Sequence, residues 1–448
     1  MATHLRFPDD FVFGMATSAY QIEGAVSQDG RIPSQWDIFS HTPGRTFHGD
    51  TGDVACDHYH RYGEDVALMA KMGVPSYRFS FAWPRIFTVD RRINQKGLDF
   101  YHRLLDELDQ HQITPMATLY HWDLPGWLAD RGGWVNRDTI GYFMDYAEVL
   151  FRTFGDRIPQ WITHNEPWCT AFLGYALGEH APGHHDWSEA IRASHHVLVS
   201  HGEVVKGYRG MGLKGQIGIT LNLSVVDPKT DSEADQQAAV RADGFQNRWF
   251  LDPILKQGYP ADMIDKFQPY VRDDLFIRPH DMDTIQTPID FLGVNYYTRA
   301  VVYADQTDPV LGVGQVIPPP ECRTTMGWEV HPESLYRLLK RIHQDYTTLP
   351  LYITENGAAF SDQVSEEGQV HDSKRQQFIQ AHLEAAHQFI KEGGPLKGYY
   401  LWSLFDNFEW AHGYSQRFGV VYVDFVTQQR ITKDSGLWYR DLVLYNRK

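Results

Sequence analysis

The sequence predicts an α/β chain folded as a single (β/α)8 TIM barrel with elaborated βα loops, one domain over residues 1–448. Three observations carry that expectation. Eight short apolar, β-branched or aromatic runs recur along the chain. Helical patterns, with apolar residues three and four apart, lie between them. Unusual polar residues gather where the runs end. Strands alternating with helices imply parallel crossovers, which a closed barrel satisfies most economically. A doubly wound open sheet is the rival topology, but no Gly-rich dinucleotide or phosphate loop opens the first crossover.

The strand candidates lie near 11–16, 75–81, 113–120, 160–165, 216–222, 289–296, 350–355 and 397–402. Val74-Pro-Ser-Tyr-Arg-Phe-Ser80, Ile113-Thr-Pro-Met-Ala-Thr-Leu119 and Gln216-Ile-Gly-Ile-Thr-Leu-Asn222 illustrate the type. Helical spacing covers Asp57–Met72, Gly97–His111, Arg137–Phe154, Trp187–Arg209, His331–Tyr346 and Ser373–Glu392. Gly73 and Gly155 read as helix stops. No linker, low-complexity tract or short-period repeat divides the chain.

A barrel places its chemistry at the C-terminal ends of the strands, where the βα loops gather. The unusual polar residues fall there: Arg78 on the second run, His121 after the third, Asn165-Glu166 after the fourth, Asn295-Tyr296-Tyr297 after the sixth, Glu355 after the seventh and Trp402 at the eighth. Each such group needs a partner if it is buried, so a ring of them at one end indicates a polar site rather than a core. Glu166 and Glu355 come from strands on opposite sides of an eight-strand ring. Two carboxyls facing each other across a pocket are what glycoside cleavage requires. One protonates the leaving oxygen and the other attacks, or stabilises, an oxocarbenium-like centre. Arg78 and Tyr297 can keep Glu355 ionised, and aromatics such as Trp168 can desolvate Glu166 and raise its pKa. Gln21, His121, Asn165 and Glu409 can bond sugar hydroxyls, while Trp402 and Trp410, flanking Asp406-Asn407-Phe408-Glu409, can pack on a pyranose face.

Composition excludes other classes. Lys and Arg number 41 against 57 Asp and Glu, a net charge of −16, which disfavours nucleic acid or an anionic membrane as partner. Cys56, Cys169 and Cys322 are odd in number and widely spaced, which suits neither a disulfide framework nor a Cys-type zinc site and fits a reducing compartment. Met1 to Asp10 has no apolar stretch of signal-peptide type, and no window approaches the ~18 apolar residues of a membrane span. A soluble cytoplasmic protein, monomer or homo-oligomer, is expected. The pairs His58/His60, His184/His185 and His195/His196 match no metal-ligand template, and no Gly-x-Ser-x-Gly elbow occurs. Neither metal nor organic cofactor is expected. Gly312-Val-Gly314 with Pro318-Pro-Pro320 reads as an irregular loop at the barrel mouth.

Five motifs in order resemble glycoside hydrolase family 1, the group that includes microbial β-glucosidases, over nearly the whole chain. Phe11-Val-Phe-Gly-Met-Ala-Thr-Ser-Ala-Tyr-Gln-Ile-Glu-Gly24 is similar to its N-terminal signature, Asn165-Glu166-Pro167 to its acid/base motif and Ile353-Thr-Glu-Asn-Gly357 to its nucleophile motif. Leu401-Trp-Ser-Leu-Phe-Asp-Asn-Phe-Glu-Trp410 and Arg417-Phe-Gly-Val-Val-Tyr-Val-Asp424 resemble its C-terminal signature. The resemblance implies a retaining double displacement on cellobiose, cello-oligosaccharides and aryl β-glucosides, with Glu355 as nucleophile and Glu166 as acid/base, their carboxyls about 5–5.5 Å apart. It implies Gln21, His121, Asn165, Glu409 and Trp410 on the hydroxyls of the terminal sugar, Trp402 beneath its ring and Phe418 beside its exocyclic group. It further implies Arg78 and Tyr297 on the nucleophile, Asn295 on the nucleophile or the 2-hydroxyl region, and Trp122, Trp168, Leu173 and Trp328 along the aglycone side. Broad β-galactosidase or β-fucosidase specificity, a phospho-β-glucosidase and a non-catalytic sugar-binding barrel are the alternatives; a carboxylate at Glu409 would repel a 6-phosphate. The chain departs from the family at His164, expected to point into the core, at His412, where a Glu is usual, and at Arg31-Ile-Pro33.

Overall fold

The computed structural model describes residues 5–256, 258–271 and 276–447; the first four residues of the N-terminal stretch read above lie outside them. Eight parallel strands close into a barrel: β1 Val12–Ala16, β2 Ser76–Ser80, β3 Thr114–Tyr120, β4 Gln160–Asn165, β5 Gln216–Asn222, β6 Phe291–Asn295, β7 Leu351–Asn356 and β8 Leu396–Trp402. Each pairs with its neighbours in sequence, and β8 closes on β1 with Ala16 opposite Trp402. These strands are covered on both faces, which is why they read as unbroken apolar runs. Around the barrel run α1 His58–Lys71, α2 Gln95–Gln110, α3 Thr139–Phe154, α4 Trp187–Gly210, α5 Glu233–Asp243, α6 Pro332–Asp345, α7 Ser373–Lys391 and α8 Asp434–Asn446. Their buried faces follow the helical repeat, as in Leu98, Tyr101, Leu105 and Leu108 of α2.

The barrel interior is filled rather than hollow. Met116, Ile162, Phe291, Tyr352 and Tyr400 pack together inside it, with Trp402 and Phe418 above them. Gly14 makes room for this packing: a Cβ there would stand 2.3 Å from the Tyr400 ring. Gly73 ends α1 in the left-handed conformation (φ 67°), whereas Gly155 follows α3 with a helical φ of −58° and is excluded from bearing a side chain by Phe151 O, 2.4 Å from its Cβ position.

The structure adds elements that periodicity did not show. Val226–Pro228, Ala300–Ala304 and Val313–Gln315 form a small sheet above the barrel, so Val313-Gly314 belongs to a strand, while Gly312 (φ 68°) and Pro318-Pro319 are irregular as expected. A hairpin of Val421–Val423 with Arg430–Thr432 follows β8. Arg31 is buried and pairs with Asp37 at 2.9 Å, fixing the segment from which Gln35 donates to Trp122 O at 2.9 Å. Five of the six paired histidines singled out above have protein partners: His58 with Asp65, His60 with Asp57, His184 with Glu189, His195 with Asp281 and His196 with Trp134 O. No helix among the described residues is long and apolar enough to cross a membrane.

Candidate active site

Both glutamates sit where the barrel ladder slips. The β4–β5 register shifts between Ile162 and Asn165, and the β6–β7 register shifts between Ile353 and Glu355. Such irregularities re-aim side chains at the ends of strands. On β4, Thr163 and His164 turn outward to α4, bonding His201 at 2.7 Å and Ser200 at 2.8 Å. His164 therefore lies in the core, against Phe143 and Trp134, as expected. Asn165 then faces inward, and Glu166 adopts a left-handed φ of 50° that a side-chain-bearing residue seldom takes. Trp122 (φ 78°) and Trp410 (φ 50°) share this strain, so three residues of one site hold backbone conformations that the surroundings must enforce.

The two carboxyls belong to one hydrogen-bonded array. Arg78, fully buried, donates to Glu355 Oε1 at 2.6 Å, to Thr354 O at 3.0 Å and to Asn165 Oδ1 at 2.7 Å. Tyr297 donates to Glu355 Oε2 at 2.6 Å. Asn295 donates to Asn165 Oδ1 at 3.1 Å and to Glu166 Oε1 at 2.6 Å, and Thr354 donates to Asn295 Oδ1 at 2.7 Å. Asn295, expected at the nucleophile or the 2-hydroxyl region, bonds Glu355 and also reaches the other carboxyl directly. Cys169 donates from Sγ to Glu166 Oε2 at 3.1 Å.

These partners separate the two groups. Burial and the charge of Glu355 push Glu166 up to about 7. Burial also raises Glu355, but the Arg78 guanidinium and the Tyr297 hydroxyl oppose it. A proton shared by the pair therefore resides on Glu166, which has no cation in contact among the described residues. Asn165 Oδ1 accepts two hydrogen bonds, so its amide nitrogen must be the atom 3.1 Å from His121 Nε2. His121, kept neutral by burial and by Arg78, accepts there and carries its proton on Nδ1, which has no partner among the described residues. That N–H is free for a hydroxyl.

A cavity of about 570 Å³ joins these groups. Glu166, Glu355, His121, Asn295 and Tyr297 line it, together with Trp402, Glu409, Trp410 and Phe418. Trp122, Trp168 and Trp328, with Leu173, also line it; Trp122 packs against His121 and Trp410, and Trp328 against Tyr297 and Phe418. Gln21, Arg78 and Asn165 stand behind the wall. Gln21 donates to Asn407 Oδ1, Phe408 O and Glu409 Oε2 at 3.0, 2.9 and 3.4 Å. Burial, with Glu355 and Glu166 nearby, lifts Glu409 to about 8. His412 reaches the rim beside Glu179 and His180, which sequence reasoning missed along with Cys169 and Phe245. Cys169 had a legible signal, standing one helical turn after Glu166; Phe245 lies in a segment with no clear apolar period.

The sequence pattern of glycosyl hydrolase family 1 matches residues 3–448. A β-glucosidase A of Acetivibrio thermocellus is 47% identical over 99% of both chains. A 1,4-β-D-glucan glucohydrolase of Thermotoga neapolitana is 47% identical over 98% of this chain and 99% of its own. Among solved structures, the AHE enzyme of Alicyclobacillus herbarius superposes with a TM-score of 0.97 at 55% identity, covering 99% of this chain and 98% of that one. A β-glucosidase of Thermotoga maritima in complex with deoxynojirimycin superposes with a TM-score of 0.94 at 47% identity, covering 99% of each. Motifs, barrel, paired carboxyls and relatives agree, and the chain belongs to glycosyl hydrolase family 1.

Proposed function

We propose that this protein is a retaining, exo-acting β-glucosidase, built on one (β/α)8 domain, that releases terminal non-reducing β-D-glucosyl residues from cellobiose, cello-oligosaccharides and aryl β-glucosides. The observation that carries the reading is the single cavity holding Glu355 against a cation and Glu166 without one. Glu355 attacks the anomeric carbon as the glycosidic C–O bond breaks, and Glu166 gives its proton to the departing oxygen. The resulting glycosyl ester neutralises Glu355, which removes the charge that had held the proton on Glu166. Glu166, now ionised, takes a proton from water as that water attacks the same carbon, and glucose leaves with both carboxyls restored.

Trp402 and Phe418 are continuous with the packed barrel interior and close the inner end of the cavity, which favours entry of a chain end. His121 Nδ1 and Glu409, which Gln21 bonds from behind the wall, suit the hydroxyls of the enclosed sugar. The aromatic wall of Trp122, Trp168 and Trp328 suits an aglycone. A 6-phosphate finds no welcome there. Among the described lining residues Arg299 is the one Lys or Arg, and it is bonded to Glu329 and Asp227. The free cysteines fit a reducing, cytoplasmic setting.

Turnover of nitrophenyl β-glycosides, cellobiose and cellobiose 6-phosphate, with the product anomer followed by proton NMR, tests this. Preference for β-glucosides with β-glucose appearing first is expected. An α-product would overturn retention, faster phosphate turnover would place the chain with phospho-β-glucosidases, and no turnover would leave a sugar-binding barrel.

A further inference from the structure

Glu166 must be an acid in one half of the cycle and a base in the other, so its neighbours have to tolerate both forms. Its two oxygens are held differently. Oε1 accepts from the Asn295 amide at 2.6 Å, and an amide N–H can only donate, so Oε1 is the poorer seat for a proton. Oε2 faces Cys169 Sγ at 3.1 Å, and a thiol both donates and accepts weakly. Cys169 is buried, lines the cavity and stands on the π-helical turn Cys169–Ala176 that follows Glu166.

We propose that Cys169 is a positioning residue, which keeps the transferable proton of the acid/base on Glu166 Oε2 by accepting from the carboxylic acid and donating to the carboxylate. The thiol acts through Glu166 and need not touch the substrate. Its weakness as a donor is the functional point. A stronger donor would favour the carboxylate and drain the acid form before glycosylation, and an apolar group would leave the carboxylate under-solvated in deglycosylation. The charged or titratable groups around Glu166 are Glu355 on β7, Arg78 on β2, Tyr297 beyond β6, Glu409 beyond β8, His121 beyond β3 and Glu179 beyond the π-helical turn. None of them changes in the test below.

The inference rests on the proposed roles of Glu166 and Glu355, and the test separates the two. The pH dependence of kcat/KM for an aryl β-glucoside is measured for the native enzyme, Cys169→Ser, Cys169→Ala and Glu166→Gln, with the fold of each checked by near-ultraviolet circular dichroism. Loss of the alkaline limb in Glu166→Gln identifies that limb with Glu166; a limb that persists there overturns the roles themselves. With the limb so identified, Cys169→Ser should shift it to lower pH by about half a unit or more and Cys169→Ala should shift it upward. Limbs that coincide with native, or that move the same way in both variants, would overturn the role of Cys169 alone. A merely structural cysteine would change amplitude or melting temperature and leave the limb in place.

Discussion

At Arg78 a single side chain organises most of the site. It is fully buried, yet satisfied throughout: it donates to the Glu355 carboxylate, the Asn165 amide oxygen and the Thr354 carbonyl, and its Nε to the Thr118 hydroxyl at 3.2 Å. A buried guanidinium is tolerable only when so satisfied. The residue scale is also where the sequence was most legible. Glu166, Glu355, Arg78 and Tyr297 could be singled out because charged and polar types at strand ends demand partners. The strained φ of Glu166 has no residue-type signature and emerged only from the backbone path. Glu409 offers a test at this scale. Its carboxyl holds a proton up to about pH 8 in the folded chain, against a usual value of 4.5, so the folded state binds more protons than the unfolded one between those values. Stability contributed by this group is complete below about pH 4.5 and falls as pH rises towards 8. The melting temperature of Glu409→Gln relative to native should therefore increase steadily from pH 5 to pH 8, as read by calorimetry. A difference that is flat with pH would show that Glu409 is ionised throughout.

The elements that were legible are those buried on both faces. All eight barrel strands and six of the outer helices match their sequence expectation within two residues at each end. The rest escaped for physical reasons. Helix α5 buries Ala238 and Ala239 and little else that is apolar, so it carries no stripe. Val226–Pro228 is a three-residue strand with a proline in it, half-exposed along its length. The loop from Ser403 to Asp424, by contrast, is fastened by ion pairs rather than by apolar packing alone. Lys433 bonds Asp362 at 2.5 Å and Asp406 at 2.7 Å, Arg417 bonds Asp406, and Arg375 bonds Asp362 and Asp372. Asp406 lies three residues before Glu409, so this buried network holds the segment that presents Glu409 and Trp410 to the cavity. Lys433→Met would leave two buried carboxylates short of a cation, and a loss of about 3–5 kcal/mol in urea unfolding is expected, with a raised KM for aryl glucosides. A loss under about 1 kcal/mol would mean that the remaining arginines suffice.

The molecule as a whole separates two tasks. Inside the barrel, below the site, Tyr352, Tyr400, Phe291 and Met116 pack as a conventional core, and the strand ends above them are free to hold groups that would destabilise any other place in the fold. Conventional packing was readable from apolar pattern, while the register slips that aim both glutamates depend on how neighbouring strands meet and leave no trace in either strand alone. The account turns on a division of labour between two carboxyls from opposite parts of one ring, and a covalent trap reports on it directly. Treatment with an activated 2-deoxy-2-fluoro-β-glucoside, followed by peptide mass mapping, should place one glycosyl group per chain on Glu355, with Glu166 unmodified. A label on Glu166, or inactivation with no covalent adduct, would contradict the assignment.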